Sequence, residues 1–319
     1  MISAKDFDFK QIVFLVTKEG QKLSFKNDNL IITDKNDKVI HQSTCYRLFA
    51  IFIVGNITIT SGLIQRSKKF GFSIVMMTVN YRPYQVISST GEANVMLRRK
   101  QYNYDSALAA QQLVKNKIEN QRNLLKSKRH KTDFDQKNIQ KINQILSNIN
   151  NQNSIAAIIG AEGSAAKDYF ECYFDNVEWK GRKPRIKPDM INALLDIGYT
   201  QLFGYVESIL RIYGFDLYCG IMHKQFYMRK SLVCDMVEPF RVIIDKQVRT
   251  SINLKQFQEE DFKVINDKWC LEYKKSSQYS NIFMKAILEY KNDIFLYVQS
   301  FYRAFMKEKL DTDFPVWNY

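Results

Sequence analysis

The stretch that decides the fold class runs from Met96 to Lys131 and reads MLRRKQYNYDSALAAQQLVKNKIENQRNLLKSKRHK. It contains no Pro or Gly and is rich in helix-forming residues, so it predicts long helices. Before it, from Lys10 to about Val86, short β-rich runs alternate with polar turns, a pattern typical of a small sheet. The character of the chain therefore changes near residue 90.

The remaining elements extend this division. The β-rich part predicts strands at Ile12–Val16, Leu30–Ile32, Val39–Ile40, Asn56–Thr60 and Phe72–Met77. A short helix is predicted between the last two strands, over Leu63–Phe70. Later segments predict helices at Ile139–Ile149, Met190–Tyr213, Leu232–Val248 and Ile282–Glu308, with Pro184, Pro188 and Pro239 as breaks or helix starts. We predict an α+β protein with a small N-terminal β-sheet domain over residues 1–90 and a larger all-helical domain over residues 91–319.

Composition narrows the functional class. The chain has 319 residues, with 47 Lys and Arg against 33 Asp and Glu, which gives a formal net charge of +14. The 45% of hydrophobic and 13% of aromatic residues exclude a disordered chain. Such an excess of positive charge indicates a polyanionic partner, either nucleic acid or an anionic membrane surface.

The sequence also predicts a compartment. The five Cys residues are far apart in the sequence, and no two of them have the C-x-x-C spacing. This pattern favours neither a zinc ribbon nor a disulfide framework. The longest apolar run, Leu48–Val54, is about a third of a membrane span, and the first residues lack the order of a signal peptide. We therefore expect a soluble, cytoplasmic protein.

The positive charge is concentrated in two segments. Ten basic residues lie between Arg98 and Lys131 against only Asp105 and Glu119, so this segment alone carries +8. A second cluster surrounds Pro184, with Lys or Arg at positions 180, 182, 183, 185 and 187. Solvated surface faces would also explain each run taken singly. Two such runs in a basic chain favour phosphate contacts with DNA or RNA.

Four residues form a candidate site. Glu162 lies in an apolar, small-residue segment, where a buried charge needs a partner or a metal ion. Asp235 and Glu238 are three residues apart on a predicted helix, and His223 precedes them. Carboxylates with an imidazole suit Mg²⁺ or Mn²⁺, although spacing alone also fits ordinary salt-bridged helix residues.

The amino-acid sequences of these segments resemble those of a known family, the CRISPR-associated spacer-acquisition integrases. The similar stretches are Val54–Ser61, Ile159–Gly163 with Tyr169–Phe170, Asn192–Tyr199, Gly220–His223 with Ser231–Arg241, and more weakly Lys117–Arg122. They occur in the family's order and span most of the chain. The family often has Asp where this chain has Glu238, and the loop from Lys224 to Lys230 is free to vary.

The resemblance implies particular roles for these residues. Glu162, His223 and Glu238 would bind Mg²⁺ or Mn²⁺, and Asp235 would line the same catalytic site. Basic residues would hold the DNA, the candidates being Arg98, Arg99, Arg122, Lys180, Arg182, Lys183, Arg185 and Arg241.

The resemblance also implies a reaction and partners. A 3′-OH end of a short foreign duplex would attack a phosphodiester of the CRISPR leader-repeat DNA, and water in its place would give endonuclease activity. The chain would work as a homodimer formed by the β domain, with two dimers bridged by a small CRISPR-associated partner of ferredoxin-like fold. Two alternatives stay open: a non-catalytic, basic nucleic-acid-binding scaffold, and an unrelated metal nuclease that cuts without joining.

Overall fold

A computed structural model describes residues 10–79, 81, 83–87, 94–175, 179, 181–184 and 186–319. The chain divides into two compact units, the first comprising residues 1–101 with 207–216 and the second residues 102–206 with 217–319. The predicted boundary at residues 90 and 91 lies outside the described residues. An N-terminal β-sheet region and a helical C-terminal part make this an α+β fold, as predicted.

Among the residues that the structure describes, the first unit contains two sheets, two helices of its own and the last turns of a third helix that begins in the second unit. Its strands are β1 (Gln11–Val16), β2 (Lys22–Lys26), β3 (Asn29–Thr33), β4 (Val39–Thr44), β5 (Leu48–Val54), β6 (Ser73–Met77) and β7 (Pro83–Ile87), and its helices are α1 (Ser61–Phe70) and α2 (Val95–Tyr102). One sheet has the order β1-β5-β6-β7, and the other is the antiparallel set β2-β3-β4.

Strand β5 lies at the centre of the four-stranded sheet. It pairs in parallel with β1 on one side and β6 on the other, and all seven of its residues are buried. A strand buried on both faces is continuously apolar, which explains the run of hydrophobic residues at this position. The predicted strand over Asn56–Thr60 is wrong, because these residues form an irregular connection to α1. Their alternation arises because Ile57 and Ile59 pack against the core without a neighbouring strand.

The second unit is mainly helical. Its helices are α3 (Ala107–Lys126), α4 (Asp133–Asn148), α5 (Ile155–Tyr173), α6 (Met190–Tyr213), α7 (Ser231–Val237), α8 (Arg241–Asn253), α9 (Tyr273–Glu289) and α10 (Lys291–Met306), with the end of α6 counted in the first unit. A 3₁₀ turn, Glu238–Phe240, separates α7 from α8 and contains Pro239. The predicted break at this proline is therefore confirmed, since proline removes a helix donor.

The prediction of an all-helical second domain is wrong at one place. Strands β8 (Phe262–Ile265) and β9 (Lys268–Leu271) form an antiparallel hairpin. Its two-residue turn, Asn266 and Asp267, has positive φ at both positions (50° and 59°). Asn and Asp tolerate this backbone, and a turn of this kind matches the twist of paired strands. A short local turn thus created a hairpin in a segment without helical periodicity.

The C-terminal segment docks onto α3. The side chains of Asn116 and Asn120, one turn apart on α3, donate to the carbonyl oxygen of Trp317 at 2.7 and 2.9 Å. They also accept from the backbone N–H groups of Trp317 and Tyr319. Asn120 additionally donates to the Pro239 carbonyl oxygen at 3.2 Å, so α3 is tied to the 3₁₀ turn as well. Within the described part of the chain, no helix is both long and apolar enough to span a membrane.

Candidate active site

Two of the predicted site carboxylates converge on one lysine. Glu162 comes from the middle of α5 and Glu238 from the start of the 3₁₀ turn, while Lys117 comes from α3. The Lys117 Nζ contacts Glu162 Oε1 and lies 2.6 Å from Glu238 Oε2. Lys117 and Glu238 are buried, whereas the Glu162 side chain is 20% exposed. The carboxylate pair is thus reachable from the Glu162 side.

Arg241 completes the charge balance around Glu238. Its Nη2 donates to Glu238 Oε1 at 2.9 Å, and its Nε lies 2.9 Å from Glu238 Oε2, so the guanidinium engages both oxygens. Burial acts to raise the pKa of Glu238, but Arg241 and Lys117 outweigh it and lower the pKa to about 2. Burial likewise acts to lower the Lys117 pKa, but Glu238 and Glu162 raise it above its usual value. Glu238, Lys117 and Arg241 are therefore charged at neutral pH.

His223 is held by Asp235. The Asp235 carboxylate is fully buried and accepts hydrogen bonds from the backbone N–H groups of Ile221, Met222 and His223 at 2.6 to 3.1 Å. The His223 Nδ1 lies 2.5 Å from Asp235 Oδ1. Because this carboxylate already accepts from three backbone N–H groups, Nδ1 is the donor to it, and Nε2 is the ring nitrogen left to face another group. Gly220 lies close to this carboxylate, since a Cβ there would approach Asp235 Oδ2 to 2.7 Å.

The predicted ligand side chains meet the requirements of a divalent cation in part. Among the described residues, no group of three or more His, Cys, Asp or Glu side chains is arranged to hold a metal ion. Glu162 and Glu238 nevertheless suit a hard cation, because oxygen atoms of both converge on one cationic atom. The third predicted ligand, His223, is anchored through Asp235, one helical turn before Glu238.

A buried Tyr–Asp–Tyr cluster lies beside Arg241. The Arg241 guanidinium stacks over the Tyr199 ring, 4.6 Å from its centroid. The hydroxyl groups of Tyr199 and Tyr169 donate to opposite oxygens of Asp245, which is fully buried. This cluster positions the Arg241 guanidinium, which pairs with Glu238. The sequence predictions did not include Tyr199, Tyr169 or Asp245 as a group.

Several predicted DNA-binding residues have partners within the protein. Arg182 pairs with Asp196 at 2.5 Å and donates to Asn192, and Arg241 is engaged by Glu238. Arg122 donates to the amide oxygens of Asn143 and Asn123.

The other predicted DNA-binding residues differ in exposure. Arg99 and Lys183 are exposed, and the half-buried Arg98 donates to the Gly214 carbonyl oxygen. Lys180 and Arg185 lie outside the described residues.

Two lysines of the basic segment have a different role from the one that their charge suggested. Lys128 is buried, and its Nζ donates to Asp135 and Asp175. Lys117 pairs with the site carboxylates. A sequence signal for Lys117 existed, because on α3 it shares one face with the apolar positions Leu113 and Val114. A charge in an apolar stripe requires a partner of opposite charge, and the carboxylates provide it.

This arrangement, a β-sheet unit followed by a helical unit that buries acidic side chains against lysine and arginine, agrees with the comparisons with known proteins. The model of the family described as CRISPR associated protein Cas1 matches residues 14–285. The chain therefore belongs to the Cas1 family. A relative from Thermodesulfovibrio yellowstonii, named CRISPR-associated endonuclease Cas1 1, is 30% identical over 225 residues, covering 66% of this chain and 71% of the relative.

Solved structures share the fold. A chain of a partial Cas6-RT-Cas1–Cas2 complex is 23% identical and matches with a TM-score of 0.79, covering 97% of this chain and 99% of that one. A casposase bound to its integration product is 19% identical with a TM-score of 0.69, covering 96% of this chain and 94% of that one. The resemblance to the family drawn from the sequence is confirmed.

Proposed function

We propose that this chain is a divalent-cation-dependent DNA endonuclease and integrase of CRISPR adaptation. It joins 3′-OH ends of foreign DNA fragments, the prespacers, to the CRISPR repeat by transesterification. The observation that carries the proposal is the convergence of Glu162 and Glu238 on one cationic atom in a chain of the Cas1 family. The relative named an endonuclease and the neighbour bound to an integration product support it.

Glu162 and Glu238 are the proposed ligands of Mg²⁺ or Mn²⁺, together with His223 through Nε2. When bound, the ion supplies Lewis-acid chemistry that stabilises charge on the phosphoryl and leaving oxygens. Asp235 acts as a positioning residue, because its carboxylate fixes the proton on Nδ1 and orients the imidazole. An ion bound there would take the place of Lys117 Nζ between the two carboxylates, and Glu238 would still be paired with Arg241.

The reaction needs no nucleophilic side chain. The oxygen of a DNA 3′-OH forms a new bond to a repeat phosphorus, while the bond from that phosphorus to the original 3′-oxygen breaks. The attacking hydroxyl loses one proton to solvent, and the departing 3′-oxygen gains one. Exposed basic side chains such as Arg99 and Lys183 hold the phosphates of the two duplexes.

The proposed assembly is a homodimer formed through the N-terminal β domain, with a small ferredoxin-like partner bridging two dimers. The fold shared with a chain of a Cas1–Cas2 complex supports a partner of the Cas2 kind. Tyr46 is an exposed aromatic side chain in the first unit and suits such a contact, whereas Phe49, Phe52 and Phe72 are buried in the core.

The test combines the purified chain, the Cas2-type partner, a 3′-OH duplex and a supercoiled plasmid carrying a leader-repeat. With Mg²⁺ or Mn²⁺ we expect nicked plasmid covalently joined to the duplex, and no joining with EDTA. Glu162→Gln and His223→Ala should abolish joining. Glu171→Ala on the same helix α5 is the matched control, because Glu171 is exposed and pairs only with Lys167 at 4.0 Å in the described structure.

Two results would contradict the proposal. Joining by Glu162→Gln at the wild-type rate would show that the carboxylate pair is not the site. Tight DNA binding without cutting or joining under any divalent ion would favour the non-catalytic scaffold.

A further inference from the structure

The segment Asp311–Tyr319 lies along helix α3, and we refer to it as the strap. Its carbonyl oxygens accept hydrogen bonds from three amide side chains of α3 that are four residues apart, Gln112, Asn116 and Asn120. The first donates to Asp311 at 2.6 Å, and the other two donate to Trp317 at 2.7 and 2.9 Å. Residues four apart lie on the same face of a helix. One face of α3 therefore presents a row of amide groups to the strap, which we call the amide ladder.

The amide ladder binds the main chain of the strap. An amide side chain has both donors and an acceptor, as a peptide group does. Asn116 uses both, because its Nδ2 donates to the Trp317 carbonyl oxygen and its Oδ1 accepts from the Trp317 N–H at 3.1 Å. Asn120 Oδ1 accepts from the Tyr319 N–H at 2.9 Å. Both asparagines are buried, so these bonds fix the strap in one register against α3.

The side chain of Trp317 connects the strap to the candidate site. The centroid of the Trp317 ring is 4.7 Å from that of Phe240 and 5.6 Å from that of Tyr290. Phe240 is fully buried and is the last residue of the 3₁₀ turn that begins with Glu238. Because aromatic pairs bury large surfaces in preferred geometries, this contact constrains the position of the turn.

A second connection reaches the same turn through its backbone. The Nδ2 group of Asn120 donates to the carbonyl oxygens of both Trp317 and Pro239, at 2.9 and 3.2 Å. Hydrogen bonds in 3₁₀ turns have poorer geometry than those in α-helices, so neighbouring elements contribute more to the position of such a turn. The two residues that follow Glu238 are therefore both held, one by the strap and the other by the asparagine that binds the strap.

We propose that the strap positions Glu238 for the reaction, with Trp317 and Asn120 as positioning residues. This inference rests on the proposed function, in which Glu238 binds the divalent cation together with Glu162. The Trp317 ring and the Asn120 amide hold the two residues that follow Glu238, and so keep its carboxylate beside that of Glu162. Substitution of residues that orient metal ligands typically lowers metal affinity by about 10- to 100-fold.

The first measurement is hydrogen exchange of the full chain without a divalent cation, read by mass spectrometry. Trp317→Ala should exchange about tenfold faster than wild type over residues 238–241, the change that corresponds to the loss of one aromatic pair. Trp317→Phe should restore protection, because a Phe ring still packs against Phe240. The hairpin of β8 and β9 serves as the internal reference and should exchange at the wild-type rate.

The second measurement is Mn²⁺ affinity, obtained from the electron paramagnetic resonance signal of the free ion. Trp317→Ala and Asn120→Leu should each bind Mn²⁺ at least about tenfold more weakly than wild type, and Trp317→Phe should bind it normally. Asn120→Leu leaves the Trp317 ring in place, so it tests the same idea if Trp317→Ala does not fold.

Gln112→Met is the matched control. Gln112 belongs to the same amide ladder and donates to the same strap, but it lies about 12 Å along α3 from Asn120. Removing this strap contact should leave both the exchange over residues 238–241 and the Mn²⁺ affinity at wild-type values. Equal effects of Gln112→Met and Asn120→Leu would mean that the strap only stabilises the fold, which would overturn the proposal.

The remaining outcomes separate the role of the strap from the proposed function. Wild-type exchange over residues 238–241 in Trp317→Ala would overturn that role, whether or not the site binds a cation. Wild-type Mn²⁺ affinity in Trp317→Ala would also overturn it, provided that Glu162→Gln loses affinity. If Glu162→Gln itself binds Mn²⁺ as wild type does, the proposed metal site is wrong, while faster exchange in Trp317→Ala still supports the connection between strap and turn.

Discussion

Lys117 holds together two carboxylates that come from separate elements, α5 and the 3₁₀ turn. Removing one member of a buried ion pair leaves an uncompensated charge. We expect Lys117→Met to lower the free energy of unfolding by roughly 3 kcal/mol at neutral pH, the low end for such pairs because Arg241 still engages Glu238. Urea denaturation measures this loss. Millimolar Mg²⁺ or Mn²⁺ should recover more stability in Lys117→Met than in wild type, because the ion replaces the missing ammonium.

Lys141→Met provides the control for Lys117. Lys141 lies on α4, 3.6 Å from Asp168, and its side chain is about half exposed. Exposed pairs contribute about 1 kcal/mol or less, so this variant should be close to wild type and insensitive to the added ion. Similar losses in the two variants would mean that Lys117 does not form the buried pair described above.

The buried carboxyl group of Asp245 predicts that the free energy of unfolding depends on pH. Burial raises the pKa of Asp245 to about 6, against the lowering effect of hydrogen bonds from Tyr199 and Tyr169. An unfolded Asp loses its proton near pH 4, so between about pH 4 and 6 the folded protein binds more protons. Stability from this residue therefore falls as the pH rises through that window. The difference in unfolding free energy between wild type and Asp245→Asn should decrease from pH 4 to 6, and a difference that grows would contradict the assignment.

At the scale of elements, Gly198 allows α6 to pack closely against its neighbours. A Cβ at Gly198 would lie 2.4 Å from Ile244 Cγ2 of α8 and 3.0 Å from the Phe283 ring of α9. Gly198→Ala should therefore destabilise the protein by about 1–3 kcal/mol through overpacking. Gly163→Ala on α5 is the control, because its Cβ would meet nothing within 4 Å. The control should gain up to about 1 kcal/mol from helix propensity, and thermal unfolding of both variants checks the opposite signs.

The elements also show where sequence patterns succeed. Helix α6 has the predicted bounds, Met190–Tyr213, because its helical pattern is long and uninterrupted. The alternation over Asn56–Thr60 predicted a strand wrongly, since two isoleucines pack on the core without ladder partners. Strand β5 was not predicted, because a strand covered on both faces has no alternation. The local pattern cannot say which neighbours an element meets.

For the whole molecule, the net charge of +14 predicts DNA binding that weakens steeply with salt. Lys126 and Arg129 are exposed in the basic segment, whereas Lys117 and Lys128 are buried in ion pairs. In EDTA, Lys126→Gln/Arg129→Gln should reduce the slope of log affinity against log salt by up to about 2, if both contact phosphates. Filter binding at several salt concentrations measures the slope.

The control for this prediction removes the same amount of charge elsewhere. Lys307→Gln/Lys309→Gln changes two exposed lysines, so this variant has the same net charge as Lys126→Gln/Arg129→Gln. An identical slope change in both double variants would mean that total charge, and not the basic segment, governs binding.

The sequence by itself determined the fold class and the family, because periodicity and motif sequences are local properties, and for the same reason it predicted the site residues Glu162, His223, Asp235 and Glu238. Only the tertiary structure decided which charges meet. It placed Lys117 between two carboxylates that are 76 residues apart in sequence, Asp235 against the backbone before His223, and Phe226 and Tyr227 in solvent. Burial and pairing depend on contacts between distant segments, so a local pattern of charges cannot reveal which lysines bind DNA and which stabilise the site.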